Sequence, residues 1–526
     1  MSVEQKVFVR EATGFVREIS IVDALFANLG FMALTLGLLT FIIGPWLFPG
    51  GDLLVSTLLC TVLSIFPALM YAFFVWAMPR SGGDYVWVSR LTHPLLGLVL
   101  NFNLTFWYVF FGGIVTAWVT SLALSPGLLV VGLVTSNQSL VEIANTLAQP
   151  QCVVGIGILI TAINALIMAR GVRAVFTLNN VLIAISLLGY AVAFWLLVTH
   201  TNADFANVFN KYASYSDIIS AAHQAGYSPQ GPDYMVATLG LMPFIFGTTG
   251  YGMISSYFAG ELKSTKKNAV YAQVGSVVIS GLVLMLLGGL ALNVFGYDFL
   301  GSITQLAYTG SSSYPFAVPP FFNLFVSLLT DNPAVLLFLL VAYVAAMFTA
   351  LPATYMITTR NVFAWSFDGA VPAKFSEISH RFRSPIYAIL VVVVIELAGL
   401  LSYTYGPSSF TALVAGAGAA QTISFIVISI IAIFFPLKKQ YYDNTPAKMG
   451  KPLPLVSVVA VVSLVFYCVI EYFYFSNPLY GANIPPVYEA IAFSLLLPVV
   501  IFAASYSYHK SKGIDIMKAF KQIPPE

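Results

Sequence analysis

Few residues in this chain could do chemistry, and those few sit in apolar surroundings. Asp23, Glu261, Glu396 and Glu471 lie inside or at the ends of long hydrophobic runs. A carboxylate there is costly, so each marks an ion pair, a proton site or the wall of a polar path. The second feature is Phe246-Gly247-Thr248-Thr249-Gly250-Tyr251-Gly252, with three glycines and two threonines in seven residues. Glycine weakens a helix and opens the backbone to a ligand, so this stretch offers bare N–H and C=O groups for noncovalent binding. Close packing between helices uses the same composition, and that reading stays open. No nucleophile–base pair or metal-ligand spacing occurs in the apolar runs, which argues against an enzyme and against a bound cofactor or metal. His93 and His380 fall at boundaries or in loops and read as locally satisfied. Cys60, Cys152 and Cys468 form no motif and read as small hydrophobes without a disulfide framework.

The elements that must hold these residues follow from composition. Of 526 residues, 59% are hydrophobic and 8% charged, with a mean hydropathy of +0.88. Soluble domains carry roughly 25% charge, so lipid must replace water over most of the surface. Apolar runs occur at 21–48, 53–78, 95–125, 152–169, 174–198 and 235–259, then at 270–296, 334–359, 386–404, 411–436, 455–475 and 488–508. These are spans 1–12 below. A straight crossing of the ~30 Å hydrocarbon layer takes about 20 residues, so spans 1 and 3 must tilt, break or extend beyond it. The runs are apolar all round, which selects helices over the alternating strands of a barrel.

Charge sets the expected orientation. With the N-terminus in the cytoplasm and twelve crossings, only Lys211 of the 23 Lys and Arg residues falls outside. Omitting one span would destroy that alternation. Both termini are then cytoplasmic. Residues 1–18 are polar, and the first apolar run is too long for the core of a cleavable signal. No basic cluster adjoins a soluble module, which excludes a nucleic-acid partner. The outside loops 199–234 and 297–333 are rich in Ser, Tyr, Asn, Gly and Pro and long enough for short surface helices. Loop 126–151 carries Asn137-Gln138-Ser139, a possible glycosylation acceptor.

Three inside boundaries carry compact motifs. Pro79-Arg80-Ser81-Gly82-Gly83-Asp84-Tyr85 follows span 2. Its Pro and paired Gly force a tight re-entry, and Arg80 anchors it at the headgroups. Phe258-Ala259-Gly260-Glu261-Leu262-Lys263, then Lys266-Lys267-Asn268, closes span 6. Thr359-Arg360-Asn361-Val362-Phe363-Ala364-Trp365, then Asp368-Gly369-Ala370-Val371-Pro372, follows span 8. Together with Asn164 to Arg173 between spans 4 and 5, these motifs resemble the amino acid–polyamine–organocation superfamily of secondary transporters. The similarity is in order and covers most of residues 19–436.

That resemblance implies a fold and a set of sites. Spans 1–5 (residues 19–200) and 6–10 (235–436) would form two inverted repeats of the LeuT-like kind. They would be joined by the outer loop 201–234, flanked by residues 1–18, and followed by spans 11–12 (437–508) and the tail 509–526. Spans 1 and 6 would be broken at mid-membrane and hold an amino acid or related organic amine. The implied substrate-binding residues are Met32, Ala33, Leu34, Thr35 and Leu36 in span 1, and Phe246, Gly247, Thr248, Thr249, Gly250 and Tyr251 in span 6. Phe246 would gate from above. Span 1 departs from the family's G-x-G, keeping only Gly37 nearby, and Gly252 stands where relatives often carry an acid.

The coupling ion is open between H+ and Na+. Ser186 occupies the position of the lysine that proton-coupled members use in span 5, and Thr349 in span 8 is its candidate companion for a cation. Asp23, Arg80, Gly82, Gly83, Glu261, Lys263, Arg360, Asp368 and Gly369 would serve the cytoplasmic gate and its support. In this frame Glu261 bridges to a basic residue of the signature loops. Glu396 and Glu471 would have structural or dimer-contact roles, with proton coupling through Glu396 as the alternative. The expected protein is a plasma-membrane transporter, monomeric or homodimeric. The competing reading is a nontransporting sensor or membrane-complex subunit that keeps the fold.

Overall fold

The computed structural model describes residues 17–379, 384–406, 410–443, 453–521 and the single positions 445, 448 and 523. Expectations resting on residues 1–16, His380, Arg381, Arg383 and Lys451 lie outside these, as do the side chains of Lys266, Lys267 and Asn268. Among the described residues the protein is all-helical. Eleven helices are long and apolar enough to cross a membrane, and a shorter apolar helix, Tyr234–Thr249, stands where span 6 begins.

Span 1 is interrupted. Ser20 and Asp23 cap its start reciprocally, Asp23 Oδ2 accepting from the Ser20 N–H at 2.9 Å and from its hydroxyl at 2.7 Å. The helix Ile21–Met32 stops at Ala33, whose φ of 45° is left-handed, and restarts as Leu34–Leu47. A non-glycine residue held there costs about 1–2 kcal/mol, so its surroundings must impose it. Span 6 is interrupted further along than its glycine pattern suggests. Residues Phe246–Thr249 are still helical, and Gly250 still donates to the Phe246 carbonyl at 2.8 Å. Regular helix ends at Gly250, and the chain continues through turns and the short 3-10 segments Ile254–Tyr257 and Ala259–Glu261.

Two sequence boundaries need correction. Span 3 does not end at 125. It runs from Pro94 to Val134, 41 residues, passing through a π-helical stretch at Val119–Leu124. Ser125-Pro126-Gly127 has the composition of a loop, yet its proline sits in the first turn of a resumed helix, where the missing N–H costs nothing. The outside loop expected at 126–151 is therefore mostly helical, with Gln138–Leu147 following, and Asn137 serves as its N-cap. Span 8 runs Pro333–Phe367, not to 359, so Arg360 and the rest of its motif through Trp365 are helical and buried rather than in a loop. The outer loops do contain short helices. Asn202–Phe209, Tyr215–Gln224 and Tyr297–Tyr308 meet around Phe205, Phe209 and Phe299, with Tyr215 stacked on Phe299 at 4.5 Å.

Spans 3 and 9 show how tightly the inner helices meet. A Cβ on Gly113 would lie 1.9 Å from the Glu396 carbonyl oxygen, and one on Gly399 would lie 2.0 Å from the Phe110 carbonyl oxygen. The two backbones touch through reciprocal glycines, the small-residue packing of membrane helices. Gly113→Ala or Gly399→Ala should each destabilise the protein by about 1–3 kcal/mol, read as a lower melting temperature in detergent. Gly155→Ala, where nothing lies within 4 Å of the added carbon, should leave it unchanged. Equal melting of all three variants would refute the close packing.

Candidate functional site

A cavity of about 60 Å³ lies between span 1 (Phe31), span 3 (Tyr108, Phe111), span 6 (Pro243, Phe244, Gly247, Tyr251), span 10 (Val414 to Gln421) and the outer end of span 11 (Tyr474, Tyr480). One water occupies ~10–15 Å³ on the same measure, so there is room for a few heavy groups without rearrangement. The wall is aromatic. Phe31, Tyr108 and Tyr251 meet edge-on, with ring centres 5.2, 5.5 and 6.1 Å apart. The lining contains no Asp, Glu, Lys, Arg or His. Its polar fixture is Gln421, whose carbonyl accepts from the Tyr251 hydroxyl at 2.5 Å, leaving the amide nitrogen for a ligand.

The expected substrate residues divide by helix periodicity. Gly247, in the last helical turn, and Tyr251, just beyond its end, line the cavity. Phe246 points elsewhere: it is fully buried against Phe466 and Tyr467 at 5.7 and 5.8 Å, touching Tyr251 from behind. Thr249 faces span 2, within 3.3 Å of the Ser64 hydroxyl. The Thr35 hydroxyl pairs with Tyr190 of span 5 at 2.9 Å. Met32, Ala33, Leu34, Leu36, Thr248 and Gly250 are also off the lining. Phe31, Tyr108 and Gln421, which no sequence motif marks, line the cavity beside Gly247 and Tyr251.

Ser186 and Thr349 do meet, across a small space of about 10 Å³ lined by Leu29, Leu34, Ile183, Leu187, Tyr190 and Ala346. Thr349 Oγ1 donates to the Ala346 and Gly30 carbonyls at 2.7 and 3.2 Å, and Ser186 donates to the Leu182 carbonyl at 2.7 Å. A hard cation wants a shell of oxygens. This lining is mostly aliphatic and a poor fit to one. Among the described residues no cluster of three His, Cys, Asp or Glu could hold a metal ion.

The end of the bundle that carries the signature motifs, the inner end on the charge-based expectation, is built from charge. Glu261 receives Arg360 in bidentate fashion, Nε at 2.8 Å and Nη2 at 2.9 Å, with the side chains 2% and 1% exposed. Asp368 receives Arg90 in the same way, at 2.6 and 2.9 Å. The backbone adds stitches: Ile19 N–H to the Glu261 carbonyl (3.0 Å), Lys263 N–H to the Ile19 carbonyl (3.0 Å) and Gly82 N–H to the Tyr257 carbonyl (2.8 Å). Gly82 and Gly83 have φ of 101° and 50°, and a Cβ on Gly83 would strike the Tyr257 ring at 2.7 Å. Gly369 has φ of 77° and its carbonyl accepts from Ser505. Arg80 reaches the Pro79 carbonyl at 3.1 Å. Asp23 accepts from Asn180 of span 5 at 2.6 Å and, with Glu18, Arg173 and Lys263, lines a separate polar hollow of about 320 Å³.

One buried carboxylate stands inside the motif after span 2. Asp84 opens the buried helix Asp84–Leu91 and is 0% exposed. It accepts from Asn101 (2.5 Å), Tyr257 (2.7 Å) and Tyr71 (3.1 Å), and burial lifts its carboxyl to about 6. Its place between a tight turn and a run of apolar and aromatic residues was the available signal. Glu396 is likewise buried, Oε2 accepting from Tyr355 at 2.6 Å, and Glu471 is half-buried; among the described residues Glu396 Oε1 and Glu471 Oε2 meet no hydrogen-bond donor.

Comparison with curated proteins finds no match. A family model described as "Amino acid permease" matches residues 19–503, nearly the whole chain. The protein belongs to that amino acid permease family, part of the amino acid–polyamine–organocation superfamily.

Proposed function

We propose that the protein is a secondary transporter, not an enzyme, carrying an amino acid or related organic amine across the plasma membrane by alternating access. The observation that supports this best is an uncharged aromatic cavity set beside the interruption of span 6, below which charged residues lock the inner end. In this reading the twelve spans form two inverted repeats, and spans 1, 2, 6 and 7 rock against 3, 4, 8 and 9. Both termini are cytoplasmic, as the Lys and Arg distribution requires.

Substrate contacts follow from the wall. Peptide groups near Phe31 and Gly247, with the Gln421 amide, hold the carboxylate and ammonium, while Tyr108 and Tyr251 enclose the side chain. A zwitterion without net charge suits such a lining better than a dicarboxylate, because no cation waits there for a second negative group. The cavity of about 60 Å³ is the contracted form and widens as the bundle moves. The Glu261–Arg360 pair ties the unwound inner part of span 6 to span 8 and must part when the inner side opens.

Two outcomes follow. In a thermal-shift screen of amino acids and polyamines, with and without sodium, a true substrate at 100 times its Kd should add about 2.7 kcal/mol of stability. Gln421→Ala should abolish most of that gain, and counterflow of the same compound in liposomes should confirm transport. Binding without flux would favour the sensor reading instead. Separately, Glu261→Gln leaves the Arg360 guanidinium buried without its counter-charge, a loss of about 3–5 kcal/mol from the closed inner end. It should shift the protein towards the inward-open form, detectable by accessibility of cysteines introduced at the inner face, and change the flux. Unchanged flux with unchanged accessibility would eliminate the gate role.

A further inference from the structure

A secondary transporter that concentrates its substrate by symport needs a driving ion, and the aliphatic space beside Ser186 and Thr349 offers few oxygens. A different buried group is placed to take one. Asp84 lies where span 2, span 3 and the inner end of span 6 converge. Three neutral side-chain donors meet its carboxylate: the Tyr71 hydroxyl from span 2, the Asn101 amide from span 3 and the Tyr257 hydroxyl from the unwound stretch after span 6; the Tyr85 backbone N–H adds a fourth, also neutral. Span 8 contributes through Trp365, whose indole N–H fixes the Asn101 carbonyl at 2.7 Å and so aims the amide at Asp84.

Among the described residues no cation bonds Asp84. Arg90 and Arg360 make their bidentate pairs with Asp368 and Glu261. The titratable groups facing Asp84 are Tyr71, Tyr108 and Tyr257, with Tyr467 of span 11 interacting with Tyr71 and Tyr108. From span 10, Phe425 meets the Tyr71 ring. The C-terminal segment Ile516–Lys521 approaches the Asp84–Leu91 helix with Phe520 over the Arg90 guanidinium at 5.2 Å. A lone carboxylate buried among neutral donors is the kind of group that takes up a proton rather than remain charged.

The same carboxylate is a latch. Its donors from spans 2 and 6 belong to one moving half of the proposed cycle, whereas Asn101 and Asp84 belong with the other. Hydrogen bonds to an ionised acceptor are about twice as strong as neutral ones, so the latch is tight when Asp84 is charged. A proton on Asp84 turns one acceptor oxygen into a donor, and one tyrosine hydroxyl must then reverse or let go. The Tyr108 hydroxyl is 3.4 Å from that of Tyr257, and Tyr108 lines the cavity. A concerted hydroxyl relay therefore reaches from the cavity to Asp84. Once the two tyrosine hydroxyls close from 3.4 Å, Tyr257 gives its proton to Asp84 as it takes one from Tyr108, and Tyr108 takes its replacement from a hydronium ion of the outside solution, which leaves as water. No bond other than O–H changes, and the proton later leaves Asp84 for the cytoplasm.

We infer that Asp84 is the binding site of the proton that drives transport, and that its protonation loosens Tyr71 and Tyr257 to open the inner end. This rests on the transport reading above. The test compares the wild type with Asp84→Asn, which keeps the shape but cannot titrate, and Asp84→Glu, which restores a carboxyl. In purified protein the infrared C=O band of a protonated carboxylic acid, titrated through about pH 6, should contain a component that Asp84→Asn lacks. In liposomes containing a pH dye, wild-type substrate flux should carry protons and fall ~10-fold per pH unit above that midpoint, as the protonated fraction does. Asp84→Asn should still exchange substrate but move no protons and show a flat pH profile, and Asp84→Glu should recover both. Infrared titrations identical in wild type and Asp84→Asn, or proton flux that survives in Asp84→Asn, overturn the inference. A wild type without flux of any substrate overturns the transport reading, while the infrared titration still decides whether Asp84 takes the proton.

Discussion

A peptide group in lipid has no water to turn to, and this constraint organises the centre of the molecule. Interrupting a helix frees N–H and C=O groups, so an interruption survives only where the surrounding side chains answer them. At span 1 the Ala33 N–H turns back to the Gly30 carbonyl at 3.1 Å, and the same carbonyl takes the Thr349 hydroxyl from span 8. At span 6 the Ser255 N–H is taken by Asn28 Oδ1 at 2.7 Å, and the Asn28 amide donates in turn to the Ala272 carbonyl of span 7. Asn28 thus satisfies two backbone groups on two elements from a third. Without such partners spans 1 and 6 would have to be continuous rods.

The inner end obeys the same logic with full charges. A buried carboxylate or guanidinium costs several kcal/mol to desolvate, and a bidentate pair offsets that only in good geometry. The pairs Glu261–Arg360 and Arg90–Asp368 meet this condition, and each joins elements distant in sequence. Their net contribution to stability is small. In the proposed cycle what they would supply is discrimination, because a pair satisfied in one arrangement is expensive in any intermediate one. Gly83 lets the loop after span 2 approach the Tyr257 ring, and Gly82 lets it approach Ala364 of span 8.

Much of this was legible in the sequence because lipid imposes strong patterns. The all-helical class and the positions of most apolar spans follow from solvent physics acting on every residue at once. The break in span 1 fell within the stretch 32–37 suggested by resemblance, although its pivot is an alanine that no glycine rule would select. What could not be read was the direction of individual side chains. Phe246 and Tyr251 look equally suited to a binding wall, and only the turn count of the short helix before Gly250 decides between them. Gln421 lies far along the chain in an ordinary stretch of small residues, and nothing local distinguishes it. Span ends failed where burial of a charge was at issue. Arg360 read as a boundary residue because an unpaired arginine must reach water, and its partner Glu261 lies 99 positions away.

Tyr108 shows how the two layers are mechanically one. Its ring forms part of the cavity wall, edge-on to Phe31 and Tyr251, and its hydroxyl faces Tyr257 above Asp84. A close-packed aromatic cluster has few ways to rearrange, since each ring sits in a groove made by the others. A ligand that pushes between Phe31 and Tyr251 must therefore displace Tyr108 or be excluded by it. Displacing Tyr108 disturbs Tyr257, and Tyr257 is held by a carboxylate whose bond strength depends on its charge. In the proposed cycle, occupancy of the cavity and the strength of the latch at Asp84 would act on a single side chain, so coupling between them would need no longer path than one tyrosine.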